Sequence, residues 1–309
     1  MIWREICEAD LPKCLSIEPR LFGDRIVGPE LAMATWKKLI HSHSFHSCVI
    51  ESANIPGQII GFGASVFVTP EFATREIADP KPGLNSRIIA AFAKQQSVIR
   101  AEEDLYNTAA NQPLDEVTLY GNWPDALLSA EQLEHVKRLL PMSFLESHTG
   151  YRLNRLIAEC VGPVQSSYIE SSGVWRVVKR FAESEGIFVV MTRQDALAMS
   201  GSIASNLFQY REPALGLRKS ERHVLVEALS CRSDIDLAKR MNLSPETIKK
   251  RWQSLFDKIA EVRPELLPVE EDAGEKHTRG PQKRHHILAY VRSHPQELRP
   301  YRWRAAQDS

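Results

Sequence analysis

The chain has 309 residues and a mass of 35.0 kDa, which is room for about two domains. Its composition, 43% hydrophobic and 25% charged with 15 glycines and 18 prolines, excludes collagen-like, coiled-coil and wholly disordered chains. No apolar run approaches the roughly 20 residues of a membrane-spanning helix, and the first residues do not resemble a signal peptide. Five scattered cysteines without a C-x-x-C motif fit a reducing compartment, so a cytoplasmic location is predicted.

The net charge of zero conceals an asymmetry between the two parts of the chain. Residues 217–309 contain 19 lysines and arginines against 14 acidic residues, whereas residues 1–216 contain 20 against 25. A basic C-terminal third on an acidic body favours a polyanion-binding module attached to a second domain.

The periodicity of apolar residues predicts an N-terminal body of mixed α/β or α+β class. Helices are predicted at residues 29–39, 84–105, 129–140, 144–160 and 194–207. Strands are predicted at residues 46–51, 57–68, 117–121, 173–181 and 186–193. Residues 69–82 are rich in proline and are predicted to be turns. Gly61 and Gly63 indicate a bulge or a close backbone approach in the second strand.

Residues 217–259 predict three short helices. The first is predicted at 220–229 and the second at 233–241, with Ser233 as its N-cap. Asn242 stands where a sharp turn needs a left-handed residue. The third helix is predicted to begin after the cap Ser244 and to end at Ile259.

The third helix has one apolar and one basic face. Its apolar stripe is predicted from the spacing of Ile248, Trp252, Leu255 and Ile259. The sequence predicts that duplex DNA is contacted by seven residues of this region, namely Ser244, Thr247, Lys249, Lys250, Arg251, Gln253 and Lys258.

At these residues the chain resembles the LuxR-type helix-turn-helix family. Leu217, Glu221, Val224 and Leu225 match its opening L-x-x-x-E-x-x-V-L, and residues 243–249 (LSPETIK) match its I-S-x-x-T-V-K. Cys231 and Asn242 replace two of the family's glycines, and Arg251 replaces its usual histidine. The resemblance implies a transcription regulator that binds DNA as a homodimer. A three-helix bundle used only for packing or dimerisation is the alternative.

Residues 264–309 are predicted to be a linker, a short helix at 283–293 and a basic aromatic tail. The tail contains Arg299, Tyr301, Arg302, Trp303 and Arg304, which could contact phosphates. The predicted domains are therefore residues 1–210, 211–263 and 264–309.

Few residues of the body indicate a chemical site. His41, His43, His46 and Cys48 are close in sequence and are metal-ligand types, but no second cluster completes a site, so no metal is predicted. Tyr151, Tyr168, Trp123 and Trp175 are interpreted as core and rim aromatics rather than as a ligand pocket. The motifs of P-loop, Rossmann and serine-hydrolase sites are absent from the sequence.

The order of elements at the start of the chain resembles the N-terminal half of the GNAT-type N-acetyltransferases. The strands HSCVIE (residues 46–51) and GQIIGFGASVFV (residues 57–68) carry this resemblance. It implies a Q/R-x-x-G-x-G/A loop after the fourth strand, where backbone N–H groups hold the pyrophosphate of coenzyme A. Residues 69–87 are assigned to that place, and they contain a single glycine, Gly83.

The sequence therefore predicts a transcription regulator that is not an enzyme and needs no cofactor. Its body is expected to sense a small molecule or to dimerise, and the helix from Ser244 to Ile259 is expected to bind DNA. A GNAT-type N-acetyltransferase with an appended helix-turn-helix is the alternative.

Overall fold

The computed structural model describes residues 2–17, 28–52, 55, 57–108, 112–124, 127–183, 185–230, 233–268 and 279–300. The chain divides into two compact units, residues 1–209 and 210–309. The predicted domain boundaries stay predictions, and the predicted tail from Tyr301 onwards, like Cys231, lies outside the described residues.

The first unit is built on a mixed sheet of seven strands, counted over the described residues. The strands are β1 (Ile2–Arg4), β2 (Phe45–Glu51), β3 (Ile59–Val68), β4 (Leu114–Asn122), β5 (Leu153–Cys160), β6 (Arg176–Phe181) and β7 (Gly186–Thr192). Their order in the sheet is β1-β2-β3-β4-β5-β7-β6. Neighbouring strands are antiparallel except β4 and β5, which are parallel.

Helices cover both faces of this sheet. The helices of the first unit are α1 (Leu11–Ile17), α2 (Pro29–Leu39), α3 (Pro70–Ala78), α4 (Leu84–Ala93), α5 (Glu102–Thr108), α6 (Ala130–His148), α7 (Pro163–Ser171), α8 (Arg193–Ala198) and α9 (Ile203–Phe208). On one face α1, α2 and α4 enclose the largest apolar cluster, and on the other α6 packs on β2 and β3. Because both faces are covered, nine of the ten β3 residues are buried.

The parallel pair β4 and β5 separates halfway along. Opposite β3, Ala64 pairs with Tyr120 and Ser65 with Thr118, so Leu119 is an extra, bulged residue of β4. The pairing of β4 with β5 ends at Thr118 and Ala158. Beyond the bulge β4 pairs only with β3, and the end of β5 pairs only with β7.

Several predictions for the first unit were wrong in their boundaries. The helix predicted at 144–160 is the end of α6 followed by β5, because Gly150 has a φ of 94° and interrupts the helix. The helix predicted at 84–105 ends at Ala93, where the chain turns at Gln95 with a φ of 57°. The turn-rich residues 69–82 contain α3, which starts at Pro70 behind a Thr69 cap.

The second unit is helical, as predicted, with four helices among the described residues. They are α10 (Lys219–Ser230), α11 (Asp234–Arg240), α12 (Pro245–Val262) and α13 (Arg279–Ser293). Ser233 and Ser244 cap α11 and α12 through their hydroxyl groups, and Asn242 has a φ of 53°. The predicted stripe of α12 is buried, and Ile287 of α13 packs in the same cluster.

A buried carboxylate joins the two ends of this unit. Glu297 accepts hydrogen bonds from the backbone N–H groups of Ala214 at 2.7 Å and Leu215 at 3.0 Å. Burial raises the pKa of Glu297, while these two hydrogen bonds act in the opposite direction.

Over the described residues, we find no helix with the length and apolar character needed to cross a membrane.

We predict that Gly61→Ala destabilises the first unit by about 1–3 kcal/mol. A Cβ at Gly61 would lie 3.0 Å from Val136 Cγ1, so the buried valine would have to shift by a few tenths of an ångström. For Gly61 and Gly63 the sequence predicted a bulge or a close approach, and the short distance at Gly61 is such a close approach. The measurement is urea denaturation of the full chain. Gly121→Ala is the control, because nothing lies within 4 Å of a Cβ there, and equal losses in both variants would contradict the packing argument.

We predict that Trp252→Ala destabilises the second unit by roughly 3–5 kcal/mol. The indole is 2% exposed in the core, and Arg284 lies over it with its guanidinium carbon 5.0 Å from the ring centroid. The free energy of unfolding, from denaturant titration of the full chain, should be unchanged in the control Lys249→Ala because that side chain is exposed. A loss below about 1 kcal/mol for the tryptophan variant would show that the core tolerates its removal.

Candidate functional site

A cavity of about 610 Å³ lies where β4 and β5 separate. Its walls come from β2, β3, β4 and β5, from α6, α7 and α9, and from the chain that leads into α4. Aromatic and aliphatic side chains form much of the lining, among them Trp123, Leu140, Phe144, Trp175 and Leu207. A largely apolar cavity with a few polar groups is the usual form of a small-molecule site.

Three titratable side chains meet at the wall that faces α6. Successive side chains of a strand alternate between the faces, so β2 places His46 on the same face as Cys48. Glu116 of β4 lies on this face as well, and His148 is the last residue of α6. One ligand atom from each of His46, Glu116 and His148 lies within 4.8 Å of the others, and we call these residues the His–Glu cluster.

The contacts of His148 fix its orientation. Its Nδ1 donates a hydrogen bond to the carbonyl oxygen of Phe144 at 2.6 Å, since a carbonyl can only accept. Its Nε2 therefore points at Glu116 Oε1, which it contacts directly, and lies 3.2 Å from Ser65 Oγ. A neutral imidazole would direct a lone pair at a carboxylate, so a proton or a cation must lie between the two groups.

Glu116 is the residue of the cluster whose burial is energetically most unfavourable. It is fully buried, and neither carboxylate oxygen takes a well-aligned hydrogen bond from any residue in the described part of the chain. Burying a carboxylate is unfavourable by several kcal/mol unless a positive charge or hydrogen bonds compensate it. The group nearest to this carboxylate is the imidazole of His148, whose Nε2 contacts Oε1 directly.

His46 completes the cluster from β2. Its ring centroid lies 4.5 Å from that of His148 and 4.9 Å from that of Phe67. Its Nε2 is 3.4 Å from the hydroxyl oxygen of Tyr151. Aromatic rings thus hold both imidazoles in place at the cavity wall.

Cys48 lies beside the cluster but is a poor nucleophile. Its Sγ is 3.0 Å from Ser143 Oγ, and both side chains are buried. Burial raises the pKa of this thiol above its ordinary value, so the reactive thiolate is scarce at neutral pH.

Two contacts connect the end of β4 with α7 at one side of the cavity. Gln165 donates a hydrogen bond to Asn122, and the rings of Trp123 and Tyr168 meet edge to face with centroids 6.0 Å apart. Burial, and secondarily the charge of Glu134, raises the pKa of Tyr168, so its phenol keeps its proton at neutral pH.

On the opposite face the start of α4 connects the two separated strands. Glu159 of β5 accepts hydrogen bonds from the backbone N–H groups of Gly83 at 3.0 Å and Leu84 at 2.6 Å. Asn85 donates a hydrogen bond to the carbonyl oxygen of Leu119, the bulged residue of β4. The first turn of α4 therefore holds β4 and β5 at the position where they separate.

The place predicted for the loop after the fourth strand was wrong. Residues 69–87 follow β3 and contain α3 and the start of α4, and α5 also precedes the fourth strand, Leu114–Asn122. The segment after the fourth strand is residues 123–129, which contains no glycine. Gly83 instead precedes α4 with a φ of 78°.

The histidine-rich segment separates into surface and buried residues. His41 pairs with Glu8 at 3.2 Å and His43 with Glu102 at 3.5 Å, and both imidazoles are exposed. His46 alone of the segment joins the cluster in the described structure. Glu116 and His148 were missed, and Glu116 directly precedes the strand that was predicted at residues 117–121.

The residues predicted to contact DNA lie at the start and along one side of α12. Lys249, Lys250 and Gln253 are exposed, and Arg251 is half-buried. Lys258 lies 3.6 Å from a carboxylate oxygen of Glu221. Ser244 and Thr247 form the helix cap. Their contact with DNA, and the predicted homodimer, are predictions that a single chain does not test.

No protein-family pattern and no curated protein match this chain. Among solved structures it is similar to the spermidine N-acetyltransferase SpeG from Vibrio cholerae, with a TM-score of 0.37 and 10% identity over 65% of this chain and 98% of that one. It is also similar to an aminoglycoside 6′-acetyltransferase type Ii, with a TM-score of 0.34 and 10% identity over 62% and 97% of the two chains. The loading GNATL domain of CurA from Lyngbya majuscula gives a TM-score of 0.38 and 12% identity over 62% and 98%.

These findings correct the functional prediction. The body has the mixed α/β fold that the sequence predicts, with a sheet of seven strands among the described residues. The prediction of a DNA-binding transcription regulator without enzymatic activity was wrong, since the comparisons return N-acetyltransferases and favour the alternative. No finding supports the LuxR-type resemblance of residues 217–259.

We predict that Glu159→Gln loosens the start of α4. The amide keeps one acceptor oxygen and brings an N–H₂ group to face a second backbone donor, so at least one of the two hydrogen bonds is lost. Hydrogen exchange should speed up at the amides of Gly83 and Leu84 by about tenfold, a change worth roughly 1.4 kcal/mol.

The matched control is Glu170→Gln, which changes a carboxylate of α7 that pairs with Arg180. It should leave these two amides unaffected. Unchanged exchange in the Glu159 variant would mean that α4 is held by its apolar contacts alone.

Proposed function

We propose that the N-terminal body is an acyltransferase that moves an acetyl group from acetyl-coenzyme A to an amine. The observation that carries the proposal is the cavity at the separation of β4 and β5, with His46 and His148 of the His–Glu cluster in its wall. The reaction needs space for the donor, an acceptor for the amine proton and a proton donor for the leaving thiolate.

The separated strands offer a place for an extended, amide-containing chain. Beyond Thr118 the strand β4 no longer pairs with β5, so two parallel strand edges flank the cavity. An extended segment with amide groups, such as the pantetheine arm of coenzyme A, can lie between such edges as an added strand does.

The phosphates of the donor would meet the start of α6. This helix has 19 residues, and Ser129 caps it by accepting a hydrogen bond from the N–H of Gln132. The N–H groups of its first turn have no partner within the helix, and they carry the positive end of the helix dipole. This position supports phosphate binding without the glycine-rich loop that residues 123–129 lack.

The His–Glu cluster supplies a proton acceptor. The amine nitrogen that attacks the thioester carbonyl loses a proton as the C–N bond forms. His148 lines the cavity with Nε2 towards Glu116. In the form that has no proton between these two groups, the pair can take up the amine proton and hold it as an imidazolium next to a carboxylate.

Tyr168 is the candidate proton donor. Breakage of the C–S bond leaves a thiolate, which becomes the free thiol of coenzyme A when it gains a proton. The phenol of Tyr168 lines the cavity and carries its proton at neutral pH, so it can donate that proton to the thiolate. The products of these steps are an amide and free coenzyme A. The side chains return to their starting state when the proton taken from the amine replaces the proton that the phenol donated.

The test has a binding part and a catalytic part, both on the full chain. Acetyl-coenzyme A at about 100 times its Kd should stabilise the protein by roughly 2.7 kcal/mol, seen as a rise in Tm. Release of free thiol from acetyl-coenzyme A should then depend on an added primary amine, tested with a polyamine, an aminoglycoside and a peptide amine.

The variants separate the two parts. His148→Gln should lower kcat by about 10²- to 10⁴-fold while the shift in Tm with acetyl-coenzyme A persists. His43→Gln is the control, because this imidazole is on the surface and pairs with Glu102. No shift in Tm with acetyl-coenzyme A would refute the proposal, and so would thiol release that His148→Gln leaves unchanged.

A further inference from the structure

We propose that His46, Glu116 and His148 form a binding site for a divalent transition-metal cation, with Zn²⁺ as the ion that fits the ligand set best. The inference concerns the His–Glu cluster itself and goes beyond acyl transfer. It rests on the identity and spacing of the ligands, on the buried charge, on the orientation of the imidazole and on the opening to the cavity.

The ligand set is that of a zinc site. Two imidazole nitrogens and one carboxylate oxygen bind Zn²⁺ at about 2.0–2.2 Å, and these ligands recur in catalytic zinc sites. At such bond lengths the ligand atoms of a tetrahedral site lie about 3.4 Å apart. The three ligand atoms here are within 4.8 Å of one another, so small side-chain rotations would bring them around one ion.

The buried charge favours a cation. Glu116 is fully buried, and its oxygens receive no aligned hydrogen bond from the described residues. His46 from β2 and His148 from α6 lie next to it, and Ser65 of β3 contacts His148 Nε2. A divalent ion would neutralise the carboxylate and leave a net charge of about +1 on the site.

The hydrogen bond of His148 Nδ1 orients the other ring nitrogen, Nε2, for binding a metal ion. Metal-bound histidines commonly donate the remaining ring N–H to a carbonyl or a carboxylate, which fixes the tautomer and the ring direction. Here Nδ1 donates to the carbonyl oxygen of Phe144, within the same helix. Nε2, which faces Glu116, therefore presents the lone pair that a metal ion needs.

The site has an open side. His46 and His148 both line the 610 Å³ cavity, so a fourth ligand such as water can reach the ion from there. Three protein ligands with one open position distinguish reactive zinc sites from closed structural ones. A metal ion would also occupy the lone pair that takes up the amine proton. This last consequence alone rests on the proposed function, and it predicts that the loaded protein transfers acetyl groups more slowly.

Co²⁺ is the probe, because in a four-coordinate site it gives a strong visible absorption that hexaaquo Co²⁺ lacks. The full chain, freed of metal with a chelator, is titrated with Co²⁺ and then with Zn²⁺. We expect a visible band that saturates at one Co²⁺ per chain and disappears on addition of one equivalent of Zn²⁺.

The variants are His148→Gln and Glu116→Gln, with His43→Gln as the matched control. The band should be absent in the first, at least tenfold weaker in affinity in the second and unchanged in the control. Far-ultraviolet circular dichroism of each metal-free variant verifies the fold. If Glu116→Gln fails to fold, His46→Gln replaces it and should also abolish the band.

Two results would overturn the inference. One is the absence of a visible band in the wild-type chain at millimolar Co²⁺, and the other is a band that persists in the cluster variants, which would place the ion elsewhere. The readout does not involve acyl transfer, so it is distinguishable from a failure of the proposed function. A protein that binds Co²⁺ but transfers no acetyl group would support the inference and refute that function.

Discussion

The site depends on the point where two parallel strands stop pairing. One extra residue, Leu119, shifts the register of β4 against β3, and the pairing with β5 ends at the preceding residue, Thr118. A bulge increases the local twist of a strand and redirects the chain beyond it. In an unbroken sheet the two strands would lie about 4.8 Å apart and leave no space between them. The cavity follows from this one local irregularity.

The separation requires support from both faces. On one face the first turn of α4 binds both strands through Glu159 and Asn85. On the other, Gln165 of α7 binds the end of β4 through Asn122. Since polar backbone groups that leave a ladder need new partners, these contacts also satisfy part of what the broken pairing releases. The helix α4, which lies between β3 and β4 in the chain, thus has a structural role at the site.

Sequence predicts the local features of this chain well and the long-range ones poorly. The caps Ser233 and Ser244 and the turn residue Asn242 act within a few residues, and the structure has them as expected. The strand β5 was mistaken for a helix because a buried strand of eight residues can show helical spacing as well as alternation. Only Gly150 indicated a break there.

The His–Glu cluster could not be found in the same way. His46, Glu116 and His148 come from three elements, and 70 residues separate the first from the second. Each has an ordinary local setting, since an imidazole at a strand end or a helix end is common at the surface. Only the pairing of β2, β3 and β4 and the packing of α6 bring the three together. No local pattern contains that information without an assumed fold.

The length of α6 determines whether this cluster exists. The helix was predicted to end at Leu140, directly before Pro141, and a proline inside a helix costs about 3 kcal/mol. In the structure α6 continues to His148 and contains Pro141. The proline removes one N–H donor, so the carbonyl of Lys137, four residues earlier, lacks its usual helical partner. The two further turns add the contacts of Ser143 with Cys48 and of His148 with Glu116 and Ser65. Packing against the sheet therefore outweighs the local preference, and the residue that the helix gains at its end is the imidazole that the buried carboxylate requires.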